Sequence, residues 1–327
     1  MVTKLTLRTR ELPDFFGAVR CTIKAASDAA FRALIDDFIG FYAAQLLNPH
    51  WGEIVSFHSD NTLTVAMVFQ GLNRQQAADV WQPFFDKVAK LDHELSMPSA
   101  PKVLALPARK LWDAEFMLKS APGVMVADER SGADLQNVVW AGDMEQAGQF
   151  LYGYHSMWMP KSLLALGARG SLVDALFAAS RHWSVALHFN KGLAGAPAEA
   201  LSAARQTAMN PAAFDAFALA IIAGNGPPAF AGVVGHEPDV PTARRYAKDI
   251  KRAAVALGKT VPNAGSYVSE SNFFEGAWQR AYWGENYARL LAVKRKYDPT
   301  GLFFVHHGVG SEEWSADGFA RIAGGAR

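Results

Sequence analysis

The sequence predicts an α+β fold: a large antiparallel sheet of about seven strands covered by helices on one face, plus a C-terminal helix-turn-strand segment. Three observations carry that expectation. Residues 53–58 and 62–70 read as strands on either side of Ser59-Asp60-Asn61, a hairpin turn by composition, so the two lie antiparallel. The order strand, helix, strand, strand, helix that opens the chain belongs to a sheet with its helices gathered on one side. The second half repeats that content of strands and helices, although no repeat of sequence accompanies it.

Taken in order, residues 2–9 alternate Leu5 and Leu7 with Thr6 and Arg8, and a second strand-like run from Phe15 to Ile23 follows Pro13, a strand pair around a turn. Ser27 and Asp28 can cap a helix whose Phe31, Leu34, Ile35, Phe38, Phe41 and Tyr42 form an apolar stripe ending near Asn48-Pro49. Leu72 to Leu95 reads as helix, broken or kinked at Pro83. Between residues 96 and 147 prolines punctuate the chain, and Val124-Met125-Val126 is loop or short strand. An aromatic and methionine-rich stretch, Tyr152 to Met159, leads to a helix through Leu172–Ala179. Ser184–Phe189 and Phe217–Ala223 are strands, Asn225-Gly226-Pro227-Pro228 is a hairpin-like gap, and Thr242–Leu257 is a helix.

The C-terminal part is the most punctuated. Trp278 to Tyr297 has helical spacing, with Lys294, Arg295 and Lys296 at the end where cations complement the helix dipole. Asp298-Pro299-Thr300-Gly301 stops it, and Leu302-Phe303-Phe304-Val305 is an apolar run expected to be a buried strand before His306-His307-Gly308-Val309-Gly310.

Composition narrows the function. Among 327 residues, half apolar, 32 Lys and Arg against 31 Asp and Glu leave a net charge of +1, so a nucleic-acid partner is not expected. No apolar run approaches the roughly 20 residues of a membrane span, so no membrane partner is expected either. The single cysteine, Cys21, excludes an internal disulfide framework and suits a reducing, cytoplasmic location. Neither GxGxxG nor GxxxxGK[ST] occurs.

The run YWGENYARLLAVKRKYDPTGLFFVHHGVGSE resembles the C-terminal signature of berberine-bridge-enzyme-like oxidases, FAD-linked enzymes of the vanillyl-alcohol-oxidase-like superfamily. More weakly, Val2 to Leu7 followed by Leu12-Pro13 is similar to the strand by which those enzymes leave the flavin domain for the substrate domain. The resemblance implies a substrate-binding domain over residues 1–260 and, over 261–327, a segment that would pack on a flavin domain. The family's N-terminal FAD-binding domain is expected to lie outside this chain, which would then hold an incomplete FAD site and be inactive alone.

Residue roles follow from the same resemblance. Glu270, in Tyr267-Val268-Ser269-Glu270, matches the family's catalytic tyrosine position. A carboxylate in an apolar, aromatic-lined pocket would have its pKa raised and suit a general base; a surface glutamate after a strand end is the plainer alternative. Asn286, with Tyr282 and Tyr267, is expected to meet the cofactor, and an amide offers the flavin edge both donor and acceptor. Tyr152, Tyr154, His155 and Trp158 either line a substrate pocket facing the flavin or pack the core. His306, His307 and His236-Glu237 lack metal-ligand spacing, and no metal is expected. The expected activity is oxidation of an alcohol, sugar or related small molecule, with a flavin-binding domain supplied in cis or in trans. The alternative is a stand-alone α+β binding or oligomerisation protein without redox chemistry.

Overall fold

A computed structural model describes residues 3–322 apart from 8, 10, 145 and 147. Its strands are β1 (Phe15–Ala25), β2 (Trp51–Phe57), β3 (Thr62–Gln70), β4 (Leu95–Ser96), β5 (Lys102–Pro107), β6 (Met125–Ala127), β7 (Val138–Trp140), β8 (Gln149–Pro160), β9 (Val185–Phe189) and β10 (Ala216–Pro228). The α-helices are α1 (Asp28–Phe41), α2 (Arg74–Ala89), α3 (Ala114–Ser120), α4 (Leu166–Ser180), α5 (Ala198–Ala204), α6 (Val240–Gly258), α7 (Trp278–Trp283) and α8 (Tyr287–Tyr297). Eight strands form one sheet in the order β4-β1-β3-β2-β9-β10-β8 with β5 also beside β1, and β6 and β7 make a separate hairpin. Every ladder in the large sheet is antiparallel.

Alternation sorts the two faces. Val19, Cys21 and Ile23 on β1, Leu63, Val65 and Met67 on β3, and Val185, Leu187 and Phe189 on β9 are buried in one core with the apolar faces of α1, α2, α4 and α6. Phe38 of α1 packs edge-on against Phe84 of α2 and Phe189 of β9, both at 5.7 Å. Burial of each such ring contributes about 1.5–3 kcal/mol. The helix starts are fixed locally: Ser27 Oγ accepts from Ala30 N–H at 3.1 Å, and Asn73 and Gln76 form a capping box. The β2–β3 turn falls where composition places it, with Asn61 in the left-handed conformation (φ 65°).

Several expectations give way. Residues 3–7 join no ladder, and Leu5 and Leu7 are exposed, because no described strand lies beside them; Val2 and Arg8 of the expected strand lie outside the described residues. Pro83 lies inside an unbroken α2, whose buried Ala77, Trp81, Phe84 and Val88 on both sides of it hold the helix against the core. Asn225-Gly226-Pro227-Pro228 is not a gap; β10 runs through it and stays paired with β8 as far as Pro228. The helix expected over 278–297 is two helices, separated at Gly284, whose φ of 54° and ψ of −137° suit glycine alone. Leu302-Phe303-Phe304-Val305 forms no strand; Leu302, Phe303 and Val305 are exposed, since no described element covers them. No helix among the described residues is long and apolar enough to cross a membrane.

Candidate functional site

The face of the sheet away from the helices carries the polar chemistry. Cross-strand partners share a face, so Ile54, His188, Leu219 and Trp158 form one row, and Ser56, Ala186, Ile221 and Ser156 the next. Trp158, Leu219 and Ile221 join Ala213, Ala216, Tyr154, Ala223 and Tyr267 in a small apolar cluster of their own. The chain after α6 crosses this floor. Trp158 N–H donates to Gly265 O at 3.4 Å, Ser266 Oγ lies 2.7 Å from Ser156 Oγ, and Tyr267 N–H donates to Ser156 Oγ at 3.1 Å. A turn then closes as Glu270 N–H donates to Tyr267 O at 2.9 Å. The Tyr267 ring is thereby set 6.1 Å from that of Trp158.

Lys191 arrives from the other side. Asn190 follows β9 in the left-handed conformation (φ 56°), held by its Nδ2 on Trp51 O at 2.7 Å and by its Oδ1, which accepts from Tyr42 Oη at 2.8 Å. Gly192 follows, where a Cβ would lie 2.2 Å from Ala216 O, so only glycine lets the chain pass. This corner brings Lys191 Nζ to 2.5 Å from Glu270 Oε2 and 5.1 Å from the centroid of Tyr267. Glu270 is therefore half-buried and ion-paired. Burial, reinforced by the Glu270 charge, pushes the Tyr154 phenol up to about 12, so it is a protonated donor at neutral pH.

A second pair stands on the same floor. His188 Nδ1 lies 3.0 Å from Glu53 Oε2. That hydrogen bond, with the charges of His188 and Lys191, holds the Glu53 carboxyl below the usual carboxylate range against the opposing effect of burial. Sequence reasoning missed Glu53, His188 and Lys191. Alternation could have found His188, which must face away from the buried Leu187 and Phe189; the reach of Lys191 depends on the Asn190 corner and left no signal.

The expected substrate residues separate. Tyr154 and Trp158 lie on the face away from the helices, Tyr154 half-buried and Trp158 buried, whereas Tyr152 and His155 do not. Gly224 pairs with Gly153 and Asn225 with Leu151, so Tyr152 is the extra residue of a β-bulge and turns to the helix side. There it packs on Tyr246 of α6 at 5.3 Å. His155, one residue past Tyr154, lines a cleft of about 380 Å³ with Met157, Gly258, Glu275 and Arg280. The expected cofactor residues also separate from one another. Tyr282 is buried, its hydroxyl donating to Asn272 O at 3.1 Å, and Asn286 donates its amide to Met209 O at 2.8 Å. Only Tyr267 of the three joins the open face. His306 and His307 stack at 3.8 Å between Phe273 and Trp278.

The fold is that of the VAO-type flavoproteins. VAO-type flavoprotein MtVAO615 from Myceliophthora thermophila C1 matches 93% of this chain with a TM-score of 0.62 at 20% identity, and 49% of that chain is covered. The carbohydrate oxidase from Microdochium nivale, solved with a substrate analogue, matches 92% of this chain with a TM-score of 0.55 at 17% identity, covering 56% of its own length. The chain thus spans about half the length of these solved neighbours. Residues 266–310 match the family model "Berberine and berberine like". In sequence, 66 residues are 42% identical to the VAO-type flavoprotein oxidase VAO615 of Thermothelomyces thermophilus, 20% of this chain and 12% of that protein. Another 67-residue match, 46% identical, is to the FAD-linked oxidoreductase notD' of Aspergillus versicolor, 20% of this chain and 11% of that one. Residues 266–310 thus carry a berberine-like segment, set in a chain whose fold is shared with VAO-type flavoproteins.

Proposed function

We propose that this chain is the substrate-binding and C-terminal part of an FAD-linked oxidoreductase that oxidises an alcohol, sugar or related small molecule, working with a flavin-binding domain in cis or in trans. Residues 1–260 form the substrate-binding part and 261–327 the segment that meets the flavin domain. The observation that carries this reading is that the berberine-like segment crosses the open sheet face and sets Tyr267 and Glu270 against Lys191, Tyr154 and Trp158. Aromatic rings beside paired charges can stack an apolar ring face and orient hydroxyl groups by hydrogen bonds.

The residues present suit one side of a flavin ring and not its pyrophosphate. A phosphate needs bare backbone N–H groups and positive charge. The glycine-bearing loop ahead of α6 instead carries Glu237, whose carboxylate already accepts from Gly235 N–H, and Asp239, which caps the helix through Thr242 N–H. FAD would therefore depend on another domain for its anchor, and when bound would supply the hydride acceptor. Within this chain, Tyr267 and Lys191 border the ring and Tyr154 and Glu270 hold the substrate. Asn286 acts at one remove, by tying the start of α8 to Met209.

The test is reconstitution. Joined to a flavin-binding domain of this family, the chain is expected to reduce bound flavin anaerobically with at least one sugar or primary alcohol from a panel. Failure with every member of the panel, in a preparation that holds FAD and is folded, would refute the reading.

A further inference from the structure

We propose that His188, held by Glu53, is the proton acceptor on this face. The proposal rests on the oxidoreductase reading for the reaction it serves, and it moves the base from the position that the family resemblance picks out, Glu270, to β9.

The geometry favours the dyad. His188 stands between Ile54 and Leu219 in the row that ends at Trp158. Strands lie about 4.8 Å apart, so roughly 10 Å separates the backbones of His188 and Trp158, with the buried Leu219 between them. Nδ1 is engaged by Glu53 at 3.0 Å, whereas Nε2 makes no hydrogen bond among the described residues. The side chain is 15% accessible: shielded, but open to a ligand. Lys191 acts on the Glu53 charge from beside β9, and with the His188 hydrogen bond it keeps that carboxylate ionised at neutral pH. An ionised carboxylate can only accept, so the imidazole proton sits on Nδ1 and the Nε2 lone pair is left for a substrate. The same partner then stabilises the imidazolium that forms. Glu270 has no comparable freedom, because its Oε2 is held by Lys191 at 2.5 Å.

In the step assigned to His188, the substrate's hydroxyl proton passes to Nε2 and the O–H electron pair becomes the second bond of the new carbonyl. FAD, when bound, would take up the carbon's hydrogen with its electron pair, so that the two electrons lost by the substrate would be gained by the flavin.

Two measurements test this. Nitrogen-15 NMR of the chain alone, above the range in which histidines titrate, is expected to find His188 as the Nδ1–H tautomer, and Glu53→Ala should let both tautomers exchange. An Nε2–H tautomer in the parent chain overturns the dyad whether or not the protein oxidises anything. In the chain joined to a flavin-binding domain and loaded with FAD, His188→Gln should slow anaerobic flavin reduction by about 100- to 10,000-fold with the flavin spectrum unchanged. Glu270→Gln should cost less than about tenfold and act on KM more than on kcat. Parent-like reduction by His188→Gln overturns the proposal and leaves the oxidoreductase reading standing. A parent that reduces flavin with no alcohol or sugar refutes that reading instead, and the tautomer then decides the dyad alone.

Discussion

Two tyrosines of β8 face opposite sides of the sheet, and the difference can be measured. Tyr154 shares the open face with Glu270, while Tyr152 is turned by the bulge onto Tyr246. Tyr154→Phe removes one donor from the proposed substrate site and is expected to raise KM about five- to thirtyfold, equivalent to about 1–2 kcal/mol of hydrogen bonding. Tyr152→Phe keeps the packed ring and should leave KM unchanged; equal effects of the two would show that both face the substrate. At the far end of the chain, Glu313 is buried between Arg295, at 2.5 Å, and Arg321, at 2.9 Å. Those guanidiniums hold its carboxyl below the usual carboxylate range. A depressed folded pKa means that the stabilisation is present above the ordinary range and is lost as pH falls through the folded value. Glu313→Gln should cost about 1–2 kcal/mol near neutrality and flatten the acid side of the stability profile, read as Tm against pH. An acid limb as steep as the parent's would assign it to other carboxylates.

At the scale of elements, the break between α7 and α8 is a built feature. Gly284 adopts a conformation open to glycine alone, and a Cβ there would lie 2.9 Å from Asn210 Oδ1. Asn210 in turn donates its amide to Ala281 O at 2.7 Å, tying α7 to the loop before β10. Gly284→Ala is expected to lower stability by about 1–3 kcal/mol and to change the near-ultraviolet signal of Trp278 and Trp283. A variant as stable as the parent would mean that the joint relaxes freely. The helical spacing of 278–297 concealed this break, since Tyr282, Tyr287, Leu290 and Leu291 keep an apolar rhythm across the glycine.

For the whole molecule, the exposed apolar surface is the informative property. Tyr267, Trp283, Tyr287 and Phe304 are half-buried within this chain. The exposed apolar groups nearby are Phe273, Phe274, Leu302, Phe303 and Val305, with Phe274 83% accessible. Such a patch marks an interaction surface. The isolated chain is expected to bind an apolar fluorescent dye and to lose that signal when a flavin-binding domain is present; dye binding unaffected by the domain would place the interface elsewhere. The chain alone should also retain little FAD after gel filtration, because the anchor for the pyrophosphate lies elsewhere in the proposed assembly. A yellow chain with stoichiometric flavin would contradict that.

The sequence by itself determined the antiparallel sheet, its one-sided helical cover and the berberine-like segment. Each rests on local signals: alternation, cap residues, turn chemistry and a long ordered motif within 266–310. Tertiary structure alone decided which side chains meet. A single extra residue at Tyr152 reversed the facing of its side chain, an asparagine corner carried Lys191 to Glu270, and pairing of β2 with β9 joined Glu53 to His188 across 135 residues. Alternation within one strand fixes parity only until a bulge resets it, and contacts between distant strands depend on register, which no short stretch of sequence contains.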